Sequence, residues 1–517
     1  MTFAVPHEQI CEIEDRSWTF ALVDVVRSSS ASPAERDEAA ETLACLEDHR
    51  SIGPLTATLE DHDLPVSIRE AASQVLLGFD DSTTGERRRG WWESGDPVTM
   101  AHALSLMERS EADVIVAVAG DDRHPLQRFA LAAMAFGLDE AKYQSVTIRA
   151  LAHPDADVRA EAADTLMWDE PVAAEGPLVR AASDPAGTVA AAAVATLKYY
   201  PSRRVLRALA ELAETADEPV RAEVAESFDE NRSLFEDGAT YGDPEQVTRL
   251  REWMAPVGDL VRWPADVQDR EPYSPPADRS RIAMTESDLL ALVADPDGAW
   301  GPKKQTLRHV AWERYGTGER GRLATALATH PDPVVRQVAT KALTAWSRSA
   351  ELLGLAADSC FLVRKSAWYC LGMVPRDPAL AEPAWEHMLA AGGTTAYEAL
   401  STYVAHASAR EAKERLIALA QIDGRESIRT QAISCLVDLG AVGELESLVP
   451  LLREPPGVTW GVHIEIIDGL RTLGLPAPDL DDLAAVDHLE LMRSVVALRC
   501  ATQNSDGSTG GSRPRCT

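Results

Sequence analysis

One recurring motif constrains the fold of this chain more than any other feature. Asp, often with Pro nearby, precedes Val/Ile-Arg-x-x-Ala, and an apolar pair follows three to four residues later. Clear copies surround Arg69, Arg159, Arg221, Arg336, Arg364 and Arg429. A single copy would mean little, but copies spread along 517 residues indicate an array of units that pack on their neighbours.

The spacing of the motif supports the same interpretation. Weaker copies keep the pattern without Arg at Gln127 and Ala190, so the equivalent positions 127, 159, 190 and 221 lie 32, 31 and 31 residues apart. In the second half, positions 308, 336 and 364 are 28 residues apart. Abundant Ala favours helix, and these periods fit a helical hairpin per unit.

The chemistry of the motif predicts how each hairpin is built. Asp at the turn can cap the second helix by accepting hydrogen bonds from its free N–H groups, and Pro suits the first turn. The core Val and the Ala four residues later lie on one apolar stripe. Arg follows the core Val and lies at the edge of that stripe. We therefore predict that each Arg pairs with an Asp at a neighbouring turn, forming a ladder between units.

The motif resembles the HEAT-repeat family, in particular the short HEAT-like repeats of the bilin-lyase type. The resemblance covers most of residues 34–475. It implies an all-α fold, an α/α superhelix or HEAT-like solenoid of about ten or more helical hairpins in two arcs, with the second helices along a concave face. Such arrays host binding more often than chemistry.

The repeat period fails at two places. Turn formers cluster in Asp80–Pro97, which predicts a loop. Prolines and charges fill 229–287, which we interpret as an insert or linker with one short helix, between an N-terminal arc at 1–228 and a C-terminal arc at 288–502. The Gly/Ser-rich residues 503–517 are predicted to be a disordered tail.

Charge and cysteine usage narrow the class of partner and the compartment. The formal net charge is −32, with 82 acidic and 50 basic residues, which argues against nucleic acid as the main partner. The seven cysteines form no C-x-x-C pair, as expected of reduced thiols. The start of the sequence lacks the pattern of a signal peptide, and no apolar run is long enough to span a membrane. We expect a cytoplasmic protein.

The alternatives to a scaffold are two. The resemblance leaves open an enzyme or enzyme subunit of the HEAT-like lyase or hydroxylase type, but hydroxylases of this type use paired His-Glu dipeptides and only His7-Glu8 has that order here. Nucleic-acid binding is the third hypothesis, because Arg87 to Trp92 combine basic and aromatic side chains. We expect no cofactor and assign no catalytic or metal-binding residue.

The preferred hypothesis is a scaffold or adaptor that binds a protein partner, of unknown identity, on its concave surface. Two groups of residues are candidates for that contact. Trp312 and Trp368 occupy equivalent positions of two repeats, where they either fill gaps between units or contribute interface aromatics. The full candidate set is Trp91, Trp92, Arg87, Arg88, Arg89, Trp312, Trp368, Tyr369, Lys365 and His309.

Overall fold

A computed structural model describes residues 10–230, 291 and 319–506, apart from short gaps at 12–13, 80–83, 108–110, 135–140 and 168–169 and at single residues 201, 392, 458 and 485. These residues form α-helices and a few short 3-10 helices, and no strand occurs among them. The predicted fold class, all-α and built from HEAT-like helical hairpins, is confirmed.

The helices follow the chain in regular alternation with short turns. Those before the central segment are α1 (Thr19–Arg27), α2 (Pro33–Leu46), α3 (Ile52–Glu60), α4 (Val66–Leu77), α5 (Thr84–Glu93), α6 (Pro97–Ser105), α7 (Ala112–Ala119), α8 (Gln127–Met134), α9 (Ala141–Ala150), α10 (Ala156–Thr165), α11 (Glu175–Ala181), α12 (Gly187–Leu197), α13 (Arg203–Thr215) and α14 (Glu218–Glu230).

After the central segment the same alternation resumes. Its helices are α15 (Glu319–Ala328), α16 (Pro333–Ala345), α17 (Ser349–Leu355), α18 (Phe361–Leu371), α19 (Ala381–Ala390), α20 (Gly393–His406), α21 (Ala409–Ile422), α22 (Glu426–Asp438), α23 (Val442–Leu448), α24 (Gly461–Thr472), α25 (Asp481–Ala484) and α26 (Leu489–Asp506). Each odd-numbered helix packs on the even-numbered helix that follows it. Within the described residues, the number of these hairpins agrees with the predicted ten or more.

The chain divides into two compact units, and each combines an early and a late stretch of sequence. The first unit takes residues from 1–108 and 274–406, and the second from 109–273 and 407–517. The predicted arcs around an insert at 229–287 stay a prediction, because the insert after residue 230 lies outside the described residues.

The predicted Arg–Asp ladder is present in both units. Arg159 donates from Nε and Nη2 to both carboxylate oxygens of Asp184 at 2.8 and 2.9 Å. Arg336 makes the same bidentate contact with Asp358, at 2.7 and 2.8 Å. Arg69 pairs with Asp96 in the same way. Such bidentate contacts fix direction as well as distance. At these three turns the contact orients one repeat on the next, whereas Arg364 and Arg429 of the same motif donate to backbone carbonyl oxygens.

The turn aspartates also cap the helices that they precede, as the motif predicts. Asp332 accepts from the backbone N–H of Val334 at 2.9 Å, and Pro333 occupies the first turn of α16. Asp96 accepts from the N–H of Thr99 at 2.9 Å before α6. The carboxylate of Asp96 thus caps its own helix and binds Arg69 of the preceding repeat.

A series of hydrogen bonds donated by hydroxyl groups also joins successive second helices. The sequence motif did not predict these bonds. Thr165 donates to the carbonyl oxygen of Leu131 at 3.1 Å, and Thr196 donates to that of Ala163 at 2.9 Å. Ser227 and Thr402 make the equivalent bonds to Val194 and Trp368, at 3.1 and 2.6 Å. Each of these buried hydroxyl groups donates a hydrogen bond to a helix carbonyl oxygen, and the bond holds the adjacent helices close together.

Two sequence predictions need correction at their boundaries. The segment Asp80–Pro97, predicted as a loop, contains helix α5 over Thr84–Glu93. The buried ring of Trp91 anchors that helix on the core, so packing overrides the local turn formers. The tail was predicted to begin at residue 503, but α26 continues through Asp506.

The close packing of second helices leads to a prediction at Gly469 in α24. A Cβ atom added there would lie 2.7 Å from Cγ2 of Val437 and 3.1 Å from Cδ2 of Leu445. Although Ala is the better helix former, we expect Gly469→Ala to destabilise the protein by about 1–3 kcal/mol through overpacking. Gly90→Ala in α5 is the matched control, since a Cβ there meets nothing within 4 Å. Denaturant titration should show a gain of about 0.5–1 kcal/mol for the control. Equal effects of the two changes would contradict the packing explanation.

Candidate partner-binding surface

The candidate residues of α5 lie in different environments. Trp91 is buried, its Nε1 donates to Oε1 of Glu60 at 2.9 Å, and its ring meets His102 edge-on with centroids 5.0 Å apart. Trp92 is partly buried against the same core. Arg88 donates to the carbonyl oxygen of Leu106 at 2.8 Å. Trp91 is therefore a core residue, which corrects its assignment as a binding residue.

Arg87 and Arg89 are the exposed members of that group. They lie on α5 beside the partly exposed Arg88, so this helix presents guanidinium groups without an exposed aromatic ring next to them. The nucleic-acid hypothesis needed basic and aromatic side chains on one exposed surface. Because Trp91 is buried, it does not share an exposed surface with Arg87 and Arg89.

Trp368 is also buried, with 3% of its surface exposed. Its ring stacks on His387 of α19 with centroids 4.7 Å apart and planes inclined by 30°. The proposed role of Trp368 at a binding face is thereby corrected, since the ring fills the space between repeats. Trp312 and His309, two further candidates for the binding face, lie outside the described residues.

The open face of α18 carries the remaining candidates. Tyr369 is 52% exposed and Lys365 is partly exposed on this helix. Leu362 is 37% exposed one turn before Lys365, and Met373 is 55% exposed just after the helix ends. Positions 362, 369 and 373 fall on one side of a helix with 3.6 residues per turn. We call Leu362, Tyr369 and Met373 the apolar stripe; sequence reasoning identified only Tyr369.

The helices on both sides of α18 extend this face. On one side, Nε2 of Gln337 in α16 lies 3.3 Å from Oγ of Ser366, and Lys341 is exposed one turn further along α16. On the other side, α20 exposes Tyr397. Burial raises the pKa of Glu398 in α20, and the nearby charge of Lys365 opposes that shift. The three helices thus form one continuous surface, which we call the α18 surface.

The second unit has a contrasting second-helix face, rich in carboxylates. Burial raises the pKa of Glu161 to about 6, and the charge of Asp164 adds to the shift. In the turn before α11, nearby protein atoms and the charge of Glu490 raise the pKa of Glu170 to about 7, although the side chain remains exposed. Burial, followed by the charges of Asp468, Asp438 and Glu490, raises the pKa of Glu465. Partial burial of Glu161 and Glu465, together with repulsion between neighbouring carboxylates, explains the raised pKa values of these two groups.

This crowding makes stability depend on pH. A carboxyl whose pKa is higher in the folded chain contributes stability below its unfolded pKa, and that contribution is lost as pH rises through the folded value. Because Glu161 is partly buried and its pKa is raised to about 6, we expect the thermal midpoint to fall between pH 5 and 7. Thermal scans should show a flatter profile for Glu161→Gln and an unchanged one for Glu414→Gln, which lies on the exposed side of α21. A wild-type profile that rises with pH across this range would contradict the assignment.

Within the described residues, no group of three or more His, Cys, Asp and Glu side chains is placed to hold a metal ion. None of their helices is both long and apolar enough to cross a bilayer.

Comparison with known proteins gives structural likenesses only. No protein-family model and no curated protein matches the sequence. Human deoxyhypusine hydroxylase in complex with glycerol is 17% identical, with a TM-score of 0.26, over 44% of this chain and 96% of that one. Yeast importin-β is 14% identical, with a TM-score of 0.32, over 95% of this chain and 73% of that one. At these identities and TM-scores, the likenesses assign neither a family nor an activity.

Proposed function

We propose that this chain is a HEAT-like scaffold that binds a protein partner on the open face of its second helices. The apolar stripe of the α18 surface is the observation that carries the proposal. Leu362, Tyr369 and Met373 are 37, 52 and 55% exposed and follow one another over about 16 Å of helix. Contiguous exposed apolar side chains on a soluble protein mark interaction sites.

The position of α18 within its repeats suits it to this task. Arg336 fixes the turn before α18 through Asp358, and Thr402 of α20 donates to the carbonyl oxygen of Trp368 within α18. The buried ring of Trp368 packs beneath the helix. Because these contacts hold the helix rigidly, little ordering entropy is lost when a partner binds the stripe.

The test is affinity purification of the tagged full chain from its own cells, after nuclease treatment, with mass spectrometry and metal analysis of the eluate. We expect a stoichiometric protein partner that is lost with Tyr369→Ala/Met373→Ala. The matched control is Ile422→Ala in α21, which removes a side chain that is 82% exposed elsewhere. The control should retain the partner.

Two outcomes would contradict the proposal. A partner retained equally by both variants would show that the stripe is not the contact. Iron or a pigment at near-unit occupancy, with no protein partner, would instead support the HEAT-like enzyme alternative.

A further inference from the structure

Few acidic side chains lie on the α18 surface. Helices α16, α18 and α20 together contain one acidic residue, Glu398, in a chain with 82 Asp and Glu. By contrast, the second helices α10, α14 and α24 of the second unit each carry two or more carboxylates. The apolar stripe is therefore set in surroundings from which acidic side chains are largely missing.

Cations border the stripe on both sides. Lys341 is exposed on α16 and Lys365 is partly exposed on α18, and these are two of only seven lysines in the chain. The arginines of the same helices are engaged elsewhere: Arg336 binds Asp358, and Arg364 donates to the carbonyl oxygens of Asp358 and Ser359. The two ammonium groups thus remain on the open face as the cations that flank Leu362, Tyr369 and Met373.

From this juxtaposition we infer that the α18 surface binds an acidic polypeptide segment with large apolar side chains. The inference rests on the proposed function and names the chemistry of its partner. The apolar side chains of the segment cover the stripe, and its carboxylates face Lys341 and Lys365. Opposite charges at a rim select the partner and speed its approach.

Charge complementarity also explains why this surface is suited to such a segment. A chain with a net charge of −32 repels acidic polypeptides over most of its surface. The α18 surface removes that repulsion where apolar area is available. A basic segment gains less there, because it meets Lys341 and Lys365 and a single carboxylate, Glu398.

The experiment uses a phage-displayed random peptide library selected against the full chain, with the variant Leu362→Asp/Tyr369→Asp as the counter-selection. We expect the enriched peptides to contain Asp or Glu together with Leu, Phe, Tyr, Trp or Met. Fluorescence anisotropy with the best synthetic peptide then measures the affinity for each variant.

The lysines provide the charge test. Lys341→Glu/Lys365→Glu should lower the affinity for the peptide by about tenfold or more at low salt. The effect should shrink at 0.5 M salt, where charges are screened over a few ångströms. Lys341→Arg/Lys365→Arg keeps both charges and should bind nearly as the parent chain does. Circular dichroism and a thermal scan of each variant check that it folds.

Three results would overturn the inference. They are the enrichment of basic or uncharged peptides, affinity that is unchanged by Lys341→Glu/Lys365→Glu, and the absence of any enrichment over the counter-selection. The proposed function fails separately. If cells yield a partner that depends on Tyr369 and Met373 but contacts the surface through a basic segment, the scaffold function stands and only the partner chemistry is wrong.

Discussion

Arg16→Met is expected to destabilise the first unit by about 3–5 kcal/mol, because it leaves a buried carboxylate without its cation. Arg16 is 2% exposed, and its Nη1 pairs with Asp332 at the start of α16. Burial alone would raise the pKa of Asp332, but His49 and Arg16 reverse this and hold it below its usual range. The guanidinium also donates to the carbonyl oxygens of Leu46 and Glu47, so its loss leaves several acceptors unsatisfied.

The position of this pair explains its importance. Asp332 is the turn aspartate that, in other repeats, receives the Arg of a neighbouring unit, and Arg16 reaches it from 316 residues earlier. Beside the pair lies a cavity of about 370 Å³ that is lined by His49, Phe79, Pro333 and Cys360, among others. Together with Nδ1 of His49, which lies 3.5 Å from Asp332, Arg16 joins the early and late stretches of the first unit at this carboxylate.

Denaturant titration of the full chain measures the effect. Arg410→Met is the control, since its pair with Glu414 is 90% and 65% exposed, and should change stability by no more than about 0.5 kcal/mol. Arg16→Met/Asp332→Asn removes both charges while keeping a side chain that can cap α16, and should recover part of the loss. A loss no larger for Arg16→Met than for Arg410→Met would show that the pair is not needed.

Tyr403→Ala should cost a comparable amount, about 3–5 kcal/mol. The ring of Tyr403 in α20 is fully buried, and it contacts Trp385 with centroids 4.9 Å apart. Truncation to Ala removes this contact and leaves a cavity between α19 and α20 that the helices fill only in part. The thermal midpoint of the first unit should fall by several degrees.

Tyr369→Ala is the matched control for Tyr403→Ala. The two tyrosines lie on adjacent second helices, but Tyr369 is 52% exposed, so its truncation should change stability by no more than about 0.5 kcal/mol. The same variant is expected to impair partner binding. If Tyr369→Ala and Tyr403→Ala destabilise the protein equally, the open face at α18 is covered in solution.

Local chemistry made much of the fold predictable. The period of the Val-Arg-x-x-Ala motif predicts helical hairpins, and the turn aspartates predict both capping and the contacts of Arg159 and Arg336. These predictions succeed because each depends on residues within one or two consecutive repeats. The loop predicted at 80–97 fails for the complementary reason: the helix around Trp91 is stabilised by contact with Glu60 and His102, from other helices.

The candidate surface was only partly predictable. Sequence position predicted that Tyr369 and Lys365 point outward from α18, and they are exposed and partly exposed, but it left open whether Trp368 lies between repeats or at the binding face, and that ring is buried. One residue corresponds to about 100° around a helix, so adjacent side chains lie in different environments. Leu362 and Met373 lack a distinctive motif, and their exposure depends on how neighbouring helices pack.

The sequence by itself determined the helical repeats, the caps and the Arg–Asp contacts between consecutive units, because a periodic motif encodes interactions of short range. The tertiary structure alone decided that Arg16 pairs with Asp332, that Thr402 donates to the Trp368 carbonyl, and that the apolar stripe stays uncovered. Contacts between residues that are far apart in the chain depend on how all the repeats between them pack together, and a local sequence motif does not contain that information.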